Sequence, residues 1–429
     1  MRRPPWYSLP ALAAALAVLS AAPTAADTAL APGVFERLRK AVFQIKTVLT
    51  DPSAKTSYGT AFAVRRDGLL VSNYHVVAAA VQEPERHRLL VLLPDRAAPA
   101  EVIGVDVVHD LALLKLEQDG LPAVTLARQG VRQGETLYSI GWPLDLNLAI
   151  APATYNGVIA AGIYETIHLS APLNPGMSGG PTVNGRGELV GVNVSHLQQA
   201  QNVSFLVPAH FVKALLGRAE GEEPRRQIEE QLDSAQRALT EQLLAQPAAV
   251  FENAWRAPAP PPYMQCWQDE SKERQLRWLV KRCSLGHSAH PWSGQNSRGL
   301  AYFKMDYQLL QDYGMGSLRF LSAQQAAYGA YLSSYTNESG ETLRRRYTDA
   351  FCIERRVRSS RGLPLQVGLC ARELVDYPGL FEASFRLAPL TRGATLIITV
   401  GLSGFSMPSL ERVLRRYLES LEPTADVSN

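Results

Sequence analysis

The sequence predicts an all-β first half, then a helical connector, then a smaller α+β domain that contains disulfides. Three observations carry this prediction: short apolar runs broken by turn residues, a later stretch with helical periodicity, and four cysteines confined to residues 266–370. The chain has 429 residues, 46% hydrophobic and 19% charged, a composition typical of globular domains. A formal net charge of only +3 argues against a nucleic-acid binder, which needs a concentrated basic face.

The first 26 residues have the layout of a secretory signal. Arg2 and Arg3 precede an uncharged, apolar run at 9–22, and small residues follow it. An uncleaved membrane anchor is the alternative. Pro10 and an apolar run of 14 residues weigh against it, because a spanning helix needs about 20. We therefore expect a cleaved signal peptide over 1–26 and an exported protein with no stable membrane span after its removal.

Residues 27–217 are predicted to form the first domain. Gly, Pro, Asn and Asp separate its short apolar runs, and many strands at this spacing are typical of an antiparallel barrel or sandwich. The predicted strands are Ala41–Val48, Thr60–Val64, Leu69–Ser72, Leu89–Leu93, Leu111–Leu116, Thr136–Ile140, Glu188–Val194 and Ser204–Val207.

A helical connector is predicted at 218–256, because five apolar residues recur there at helical spacing. They are Ile228, Leu232, Ala235, Leu239 and Leu243. The pattern fits either a coiled-coil stalk or one helix packed on a domain. The Pro-rich segment 257–262 is interpreted as a stiff linker. Either the connector helix or the part of the chain that follows the linker offers a surface for a homo-oligomer.

Residues 263–429 are predicted to form a C-terminal α+β domain, to which we assign no function from the sequence. Its predicted elements are strands at Ala301–Leu310, Phe381–Leu387 and Thr395–Val400, and a closing helix from Pro408 to about Leu421. The hypothesis is that this domain is separate from the first one and modulates it. The alternative is that it packs as an extension of the first domain and stabilises it.

The cysteines are Cys266, Cys283, Cys352 and Cys370. No pair has the Cys-x-x-Cys spacing of a zinc site or a redox motif. In an oxidising compartment we expect two disulfides, with free buried thiols as the alternative. Three connectivities are open, and Cys266–Cys283 with Cys352–Cys370 is the most local. His287 and His290 form His-x-x-His without a third metal ligand nearby, so no metal site is predicted.

Three segments of the first domain carry chemistry. Ser178 is surrounded by glycines and follows Met177, and small neighbours let backbone N–H groups point at a substrate carbonyl. His75 comes soon after the predicted strand 69–72, where a general base is well placed. Asp110 opens an apolar strand, and His109 beside it complicates the assignment. The order His, Asp, Ser is that of a chymotrypsin-type triad.

These segments resemble the trypsin-like peptidase domain of the HtrA (DegP-like) family over about residues 58–215. The resemblance implies a chymotrypsin-like double β-barrel, with six strands in each barrel and the active site between them. It makes His75 the general base, Asp110 its orienting carboxylate and Ser178 the nucleophile. Backbone N–H groups of Gly176 and Ser178 would form the oxyanion hole. With the Arg- and Ala-rich composition, the resemblance favours the periplasm over the extracellular space.

Met177 departs from the family pattern. HtrA-like proteins usually have Asn at this position, and digestive trypsin-like enzymes have an Asp that pairs with a new N-terminal amine after zymogen cleavage. Met177 cannot make such a pair, so we do not expect activation by a freed N-terminus. The sequence does not show what would order the loop around Ser178 that carries the expected oxyanion-hole residues. No carboxylate-binding loop of a PDZ module is evident in the C-terminal part.

The resemblance also implies a substrate preference. The residue six positions before the nucleophile lies at the base of the S1 pocket in trypsin-like enzymes, and here it is Pro172. The other candidates for this pocket are Val194, Ser195 and His196. Without a buried carboxylate, a cationic P1 side chain would be left unpaired at a cost of roughly several kcal/mol. Small or apolar P1 residues are therefore expected.

Together these observations predict an exported serine endopeptidase that acts on unfolded or exposed polypeptides. No cofactor and no nucleic-acid partner is expected. The alternative is a non-catalytic peptide-binding or assembly protein that keeps the protease fold, because a collapsed oxyanion loop would leave the same sequence motifs.

Overall fold

The computed structural model describes residues 32–50, 57–159, 164–196, 202–218, 223–273, 275–285, 289, 291, 299–336 and 345–424. Only the backbone is described for residues 32, 145, 195, 196, 273 and 330–336. The predicted signal peptide at 1–26 and the His287–His290 pair lie outside the described residues. In the part of the chain that is described, no helix is both long and apolar enough to cross a membrane.

The first six strands close into an antiparallel barrel in the order β1-β2-β3-β6-β5-β4. A short helix precedes them, and a second helix lies between β3 and β4. The elements are α1 Pro32–Leu38, β1 Val42–Leu49, β2 Ser57–Ala63, β3 Leu69–Ser72, α2 Tyr74–Gln82, β4 His87–Leu92, β5 Ala97–Asp106 and β6 Leu111–Leu116. Alternating buried side chains of β1 and β4 fill this barrel.

The next six strands close into a second barrel in the order β10-β11-β12-β9-β8-β7. They are β7 Thr136–Gly141, β8 Ala149–Ile159, β9 Thr166–Ser170, β10 Pro181–Val183, β11 Leu189–His196 and β12 Ser204–Pro208, followed by helix α3 at Ala209–Leu216. Phe62 and Leu113 of the first barrel share one core cluster with Ile140 and Val192 of the second. The predicted double β-barrel is confirmed, and this shared core fixes the loops between the barrels.

Helix α4 spans Pro224–Leu244 and connects the barrels to the rest of the chain. Ile228 and Leu232 pack in a cluster with Tyr74 and Val105 of the first barrel. Two turns further on, Leu239 lies in the core of the C-terminal sheet. Both ends of the apolar stripe are covered by the same chain, so α4 is a helix packed on domains and not a coiled-coil stalk.

A seven-stranded antiparallel sheet forms the centre of the C-terminal part, in the order β15-β16-β17-β21-β20-β19-β18. The strands are β15 Gln265–Glu273, β16 Leu276–Ser284, β17 Tyr302–Asp312, β18 Phe351–Arg358, β19 Pro364–Glu373, β20 Leu380–Pro389 and β21 Ala394–Ser406. Helix α5 at Ser317–Thr336 covers one face through Phe320 and Tyr328. Helix α6 at Met407–Ser420 packs with α4 on the other. The predicted α+β architecture is confirmed here.

The two disulfides join Cys266 to Cys283 and Cys352 to Cys370. Each pair is directly opposite across neighbouring strands. The bonds therefore tie each outermost strand of the sheet, β15 and β18, to the strand beside it. Of the three connectivities that the sequence leaves open, the structure has the most local one.

The Pro-rich segment at 257–262, predicted to be a stiff linker, overlaps a strand of the C-terminal part. Strand β14 covers Trp255–Pro258 and pairs with β13 at Ala248–Phe251 and with β22 at Glu422–Pro423. Trp255 and Ala257 are fully buried in the core of the C-terminal sheet, and the Tyr307 hydroxyl donates to the Pro258 carbonyl at 2.8 Å. The start of the Pro-rich segment therefore packs in the core of the C-terminal sheet.

Candidate active site

His75 and Asp110 meet at the ends of two neighbouring strands. His75 is the second residue of α2, just after β3, and Asp110 directly precedes β6. Because Ser72 of β3 pairs with Ala112 of β6, the residues flanking these strand ends lie side by side. Asp110 Oδ2 is 2.7 Å from His75 Nδ1, and Asp110 Oδ1 accepts the backbone N–H of His75 at 2.8 Å. One carboxylate thus fixes both the ring and the backbone of the histidine.

The backbone of Asp110 is held in a strained conformation that aims this carboxylate. Its φ of 55° lies in the left-handed region, which is unfavourable for a residue with a Cβ. The carbonyl of Asp110 accepts the Asn73 side-chain amide at 2.8 Å and the Tyr74 N–H at 3.2 Å. These bonds offset the strain and explain why it persists.

The electrostatics of His75 follow from this contact. Burial lowers the pKa of His75, but the charge and the hydrogen bond of Asp110 raise it, and the net pKa lies above its ordinary value. The side chain of His75 is 40% exposed, so water limits the effect of burial and the carboxylate dominates. The imidazole is therefore a stronger base than a free histidine side chain.

Ser178 lies in the crevice between the barrels. Its backbone carbonyl accepts the Thr60 N–H of β2 at 2.8 Å. A Cβ on neighbouring Gly179 would come within 2.3 Å of Ser72 Oγ and 2.9 Å of Asn73 N, so only glycine allows this approach. The close contact brings the Ser178 segment against the end of β3, just before His75.

The hydroxyl of Ser178 points to a backbone acceptor. Ser178 Oγ donates to the Val194 carbonyl at 2.7 Å. Among the described residues, no hydrogen bond joins Ser178 Oγ to the His75 ring. The side chain must rotate before its hydroxyl can give a proton to His75.

The loop 174–179, called the oxyanion loop below, carries the predicted oxyanion-hole residues. Gly176 has a φ of 96°, and Met177 N–H donates to Asn174 O at 3.0 Å, which closes a turn. In the described part of the chain, neither the Gly176 nor the Ser178 N–H has a hydrogen-bond acceptor. Unpaired N–H donors can hold a negatively charged oxygen when they point at one position.

The candidates for the S1 pocket are only partly described. Pro172 is exposed, and its carbonyl lies 3.4 Å from the Asn174 side-chain amide. Val194 is brought to the site, because its carbonyl holds the Ser178 hydroxyl. The side chains of Ser195 and His196 lie outside the described residues, although both belong to strand β11.

His109 belongs to a second cluster, which the sequence did not reveal. Its Nδ1 lies 2.9 Å from both carboxylate oxygens of Asp106, and Arg218 donates to Asp106 Oδ2 at 2.6 Å. The ring of His109 stacks on Phe211 with centroids 3.7 Å apart. Burial raises the pKa of Asp106, but its bonds to His109 and the charge of Arg218 hold the net pKa below its usual value. His109 is thus occupied by another carboxylate and does not compete with His75 for Asp110.

The C-terminal part contacts the helix that carries His75, a second feature missed from the sequence. Tyr74 is buried, and its hydroxyl donates to the Pro291 carbonyl at 2.6 Å. Gln82 Nε2, at the other end of α2, is 2.7 Å from the Tyr377 hydroxyl and 3.0 Å from the Tyr74 hydroxyl. No local motif predicts these contacts, because they join residues more than 200 positions apart in the sequence.

Comparisons with known proteins agree with this geometry. Residues 59–192 match the family model described as "Trypsin-like peptidase domain". The mitochondrial serine protease HTRA2 of Bos taurus is 34% identical over 203 residues, which cover 44% of this chain and 42% of that protein. The "Probable periplasmic serine endoprotease DegP-like" of Hahella chejuensis is 33% identical over 169 residues, 37% of this chain and 34% of that protein.

Solved structures give a weaker likeness. The serine endoprotease from Yersinia pestis is 22% identical, with a TM-score of 0.38 over 43% of this chain and 65% of that one. The alignments with the two curated relatives span less than half of each relative's length, and the family match ends before α4. The prediction of an HtrA-like peptidase domain is confirmed for the barrels. Over residues 59–192 the two-barrel part of this chain matches the trypsin-like peptidase domain, and it is similar in sequence to the HtrA serine proteases.

Proposed function

We propose that this protein is a serine endopeptidase that hydrolyses peptide bonds in unfolded or exposed segments of polypeptides. The observation that carries the proposal is the Asp110 carboxylate, which binds both the ring and the backbone N–H of His75. A carboxylate that fixes the orientation and the tautomer of a histidine beside a serine is the working part of a hydrolytic triad. The HtrA relatives named serine proteases support the same reaction class.

In this proposal Ser178 is the nucleophile and His75 is the general base. A carboxylate only accepts hydrogen bonds, so the hydrogen of the neutral ring is on Nδ1 and Nε2 is free to accept. The Ser178 hydroxyl leaves the Val194 carbonyl, gives its proton to Nε2 and attacks the substrate carbonyl. His75 then protonates the leaving amine, and water hydrolyses the acyl-enzyme.

The negative charge that develops on the substrate oxygen needs donors. We assign this role to the N–H groups of Gly176 and Ser178, which have no acceptor among the described residues. Preorganised N–H donors of this kind are worth on the order of 10²-fold or more in rate each.

We further propose small or apolar residues at P1. The position that carries the cation-binding Asp in trypsin-like enzymes is Pro172 here, so a Lys or Arg side chain would lose hydration without gaining a partner. Comparing kcat/KM for peptides that differ only at P1, with Val, Ala, Leu, Lys and Arg, tests this point. Faster cleavage after Lys or Arg would contradict it.

Export is proposed as well, with the periplasm favoured. The predicted signal at 1–26 has the required layout, and two disulfides are typical of an oxidising compartment. A relative is named as periplasmic. N-terminal sequencing of the mature protein from a periplasmic extract tests both the cleavage site and the compartment.

For the domains we propose a peptidase domain at 27–217 and a C-terminal domain that begins near residue 263, joined by α4 and the β13–β14 hairpin. Side chains of α4 lie in the cores on both sides. This favours the alternative in which the C-terminal domain stabilises the peptidase domain, over the hypothesis of a freely separable modulator.

A non-catalytic peptide-binding protein is the second candidate. It is favoured by one observation, the hydrogen bond of Ser178 Oγ to the Val194 carbonyl, which leaves the nucleophile turned away from its base. Such a protein would bind unfolded polypeptide and leave it intact.

Covalent labelling separates the two candidates. A fluorophosphonate probe should label the wild-type protein, and Ser178→Ala should abolish labelling. His75→Ala should slow casein cleavage on the order of 10³-fold or more, because a serine hydroxyl without a base is a poor nucleophile. Ser170→Ala, an exposed serine of the same barrel, serves as the control and should label like the wild type. A wild-type protein that binds casein but neither labels nor cleaves it would establish the binding function instead.

A further inference from the structure

We propose that Thr60 is a positioning residue that, together with Met177, holds the oxyanion loop in its donor-ready arrangement without any activating event. This inference rests on the proposed roles of the Gly176 and Ser178 N–H groups. It also answers what replaces the polar residue that trypsin-like and HtrA-like proteins have at the position of Met177.

The direction of the Gly176 N–H is set by the peptide that contains it. Pro175 and Gly176 occupy the two central positions of the turn that Met177 N–H closes, and the positive φ of Gly176 is what a type II turn requires there. Pro175 O accepts the Leu144 N–H at 2.8 Å. The C=O and N–H of a trans peptide point in opposite directions, so the Gly176 N–H points away from Leu144.

The next peptide is held by Thr60. The Thr60 hydroxyl donates to Gly176 O at 2.7 Å and accepts the Trp142 N–H at 3.0 Å. Its own backbone N–H donates to Ser178 O at 2.8 Å. Thr60 is fully buried, so these bonds do not compete with water. One residue of the first barrel thus fixes the carbonyl of each residue that supplies a proposed oxyanion donor.

The fit around Gly176 leaves the loop little room to move. A Cβ at this position would come within 2.3 Å of the Trp142 carbonyl oxygen and 2.8 Å of the Tyr58 ring. Trp142 donates its N–H to the Thr60 hydroxyl, and its carbonyl is also part of the surface against which Gly176 packs. The loop is therefore held between Tyr58 and Thr60 of the first barrel and Trp142 at the end of β7.

Met177 anchors the same loop in the second barrel. Its side chain is 2% exposed and packs in a cluster with Leu137, Leu169 and Leu206. Its carbonyl accepts the Asn193 side-chain amide at 3.2 Å. A charged side chain at this position would need a partner to be buried, whereas an apolar one needs only the core. The order of the loop therefore follows from folding and requires no new N-terminus.

The experiment compares Thr60→Val, which keeps the shape and removes the hydroxyl, with Thr60→Ser, which keeps the hydroxyl. Thr240→Val is the matched control, because Thr240 is as buried, and in the described part of the chain its hydroxyl bonds only the carbonyl of Gln236 in its own helix. With a fluorogenic peptide, Thr60→Val should lower kcat about 10- to 100-fold and leave KM within about 2-fold, the signature of a lost transition-state interaction. Thr60→Ser should stay within about 3-fold of the wild type, and so should the control.

Hydrogen–deuterium exchange of residues 172–181 gives a readout that does not depend on activity. Exchange in this segment should be faster in Thr60→Val than in the wild type and unchanged in Thr240→Val. An unchanged kcat and exchange in Thr60→Val, or a rise in KM alone, would overturn the proposal. If the wild type itself does not label at Ser178, the proposed function fails. Exchange then still decides whether Thr60 orders the loop.

Discussion

Replacing Asp110 by Asn should stop catalysis while keeping the shape of the site. The two oxygens of Asp110 have different partners, Oδ1 the backbone N–H of His75 and Oδ2 the ring Nδ1. Asparagine has one oxygen and one NH₂ group. If its oxygen faced the ring, the NH₂ group would face a backbone N–H, donor against donor. The oxygen therefore faces the backbone, and the NH₂ group faces the ring.

An NH₂ group facing Nδ1 turns that nitrogen into an acceptor and moves the ring hydrogen to Nε2. The histidine can then no longer accept the Ser178 proton. In a Ser-His-Asp triad the wrong tautomer costs about 10⁴-fold in kcat, which corresponds to about 5 kcal/mol of transition-state stabilisation. KM should change little, since no substrate contact is lost.

The assay is kcat and KM on one apolar-P1 peptide, with circular dichroism to verify folding. Asp106→Asn is the matched control, because it alters a second aspartate–histidine pair, Asp106 with His109. That variant should unfold at a lower temperature, since it leaves Arg218 without its buried carboxylate, yet keep kcat within a few-fold. Full activity of folded Asp110→Asn, or an equal loss in both variants, would refute the tautomer argument.

Two more predictions concern pH and the C-terminal part. Asp110 raises the pKa of His75, and the neutral ring is the active form. Activity should therefore rise with pH through a midpoint above about 6.5, the ordinary histidine pKa. NMR titration of the His75 ring in Ser178→Ala measures this pKa, and a value at or below about 6.5 would contradict the prediction. Truncation after Gln246 uncovers Tyr74, Ile228 and Leu232, so the fragment should aggregate, as measured by size-exclusion chromatography. A monodisperse fragment that reacts with the fluorophosphonate probe at the full-length rate would show that the peptidase domain is independent.

The barrel class could be predicted because its signals are local, and the proposed triad rests on signals of the same kind. His75, Asp110 and Ser178 each stand in a short motif next to a strand end, so residue type and order suffice. Strands β5 and β8 escaped prediction for a physical reason. Pro99 and Pro152 lie inside them, and both strands contain an irregularity in register, which breaks the alternation on which strand prediction depends.

The contacts between helix α4 and the first barrel were beyond prediction. Gln227 and Gln231 of α4 accept the backbone N–H groups of Val105 and Val107 at 2.9 and 2.8 Å. From sequence alone, a glutamine on a helix is expected to face solvent. No local pattern indicates that its side chain will accept a hydrogen bond from a strand backbone more than 100 residues away. The burial of Ala257 in the Pro-rich segment was also beyond prediction, since proline content predicts stiffness but not burial.

The two disulfides have a consequence for survival in a compartment that contains proteases. A protease cleaves a chain only after the chain detaches and enters its site in extended form, and detachment of a sheet starts at the outermost strands. Each of these strands is crosslinked here to its neighbour, at sequence separations of 17 and 18 residues. A cut between the two cysteines of either pair releases no fragment, because the disulfide still joins the two pieces. A molecule cut in this way therefore keeps both edge strands of its sheet.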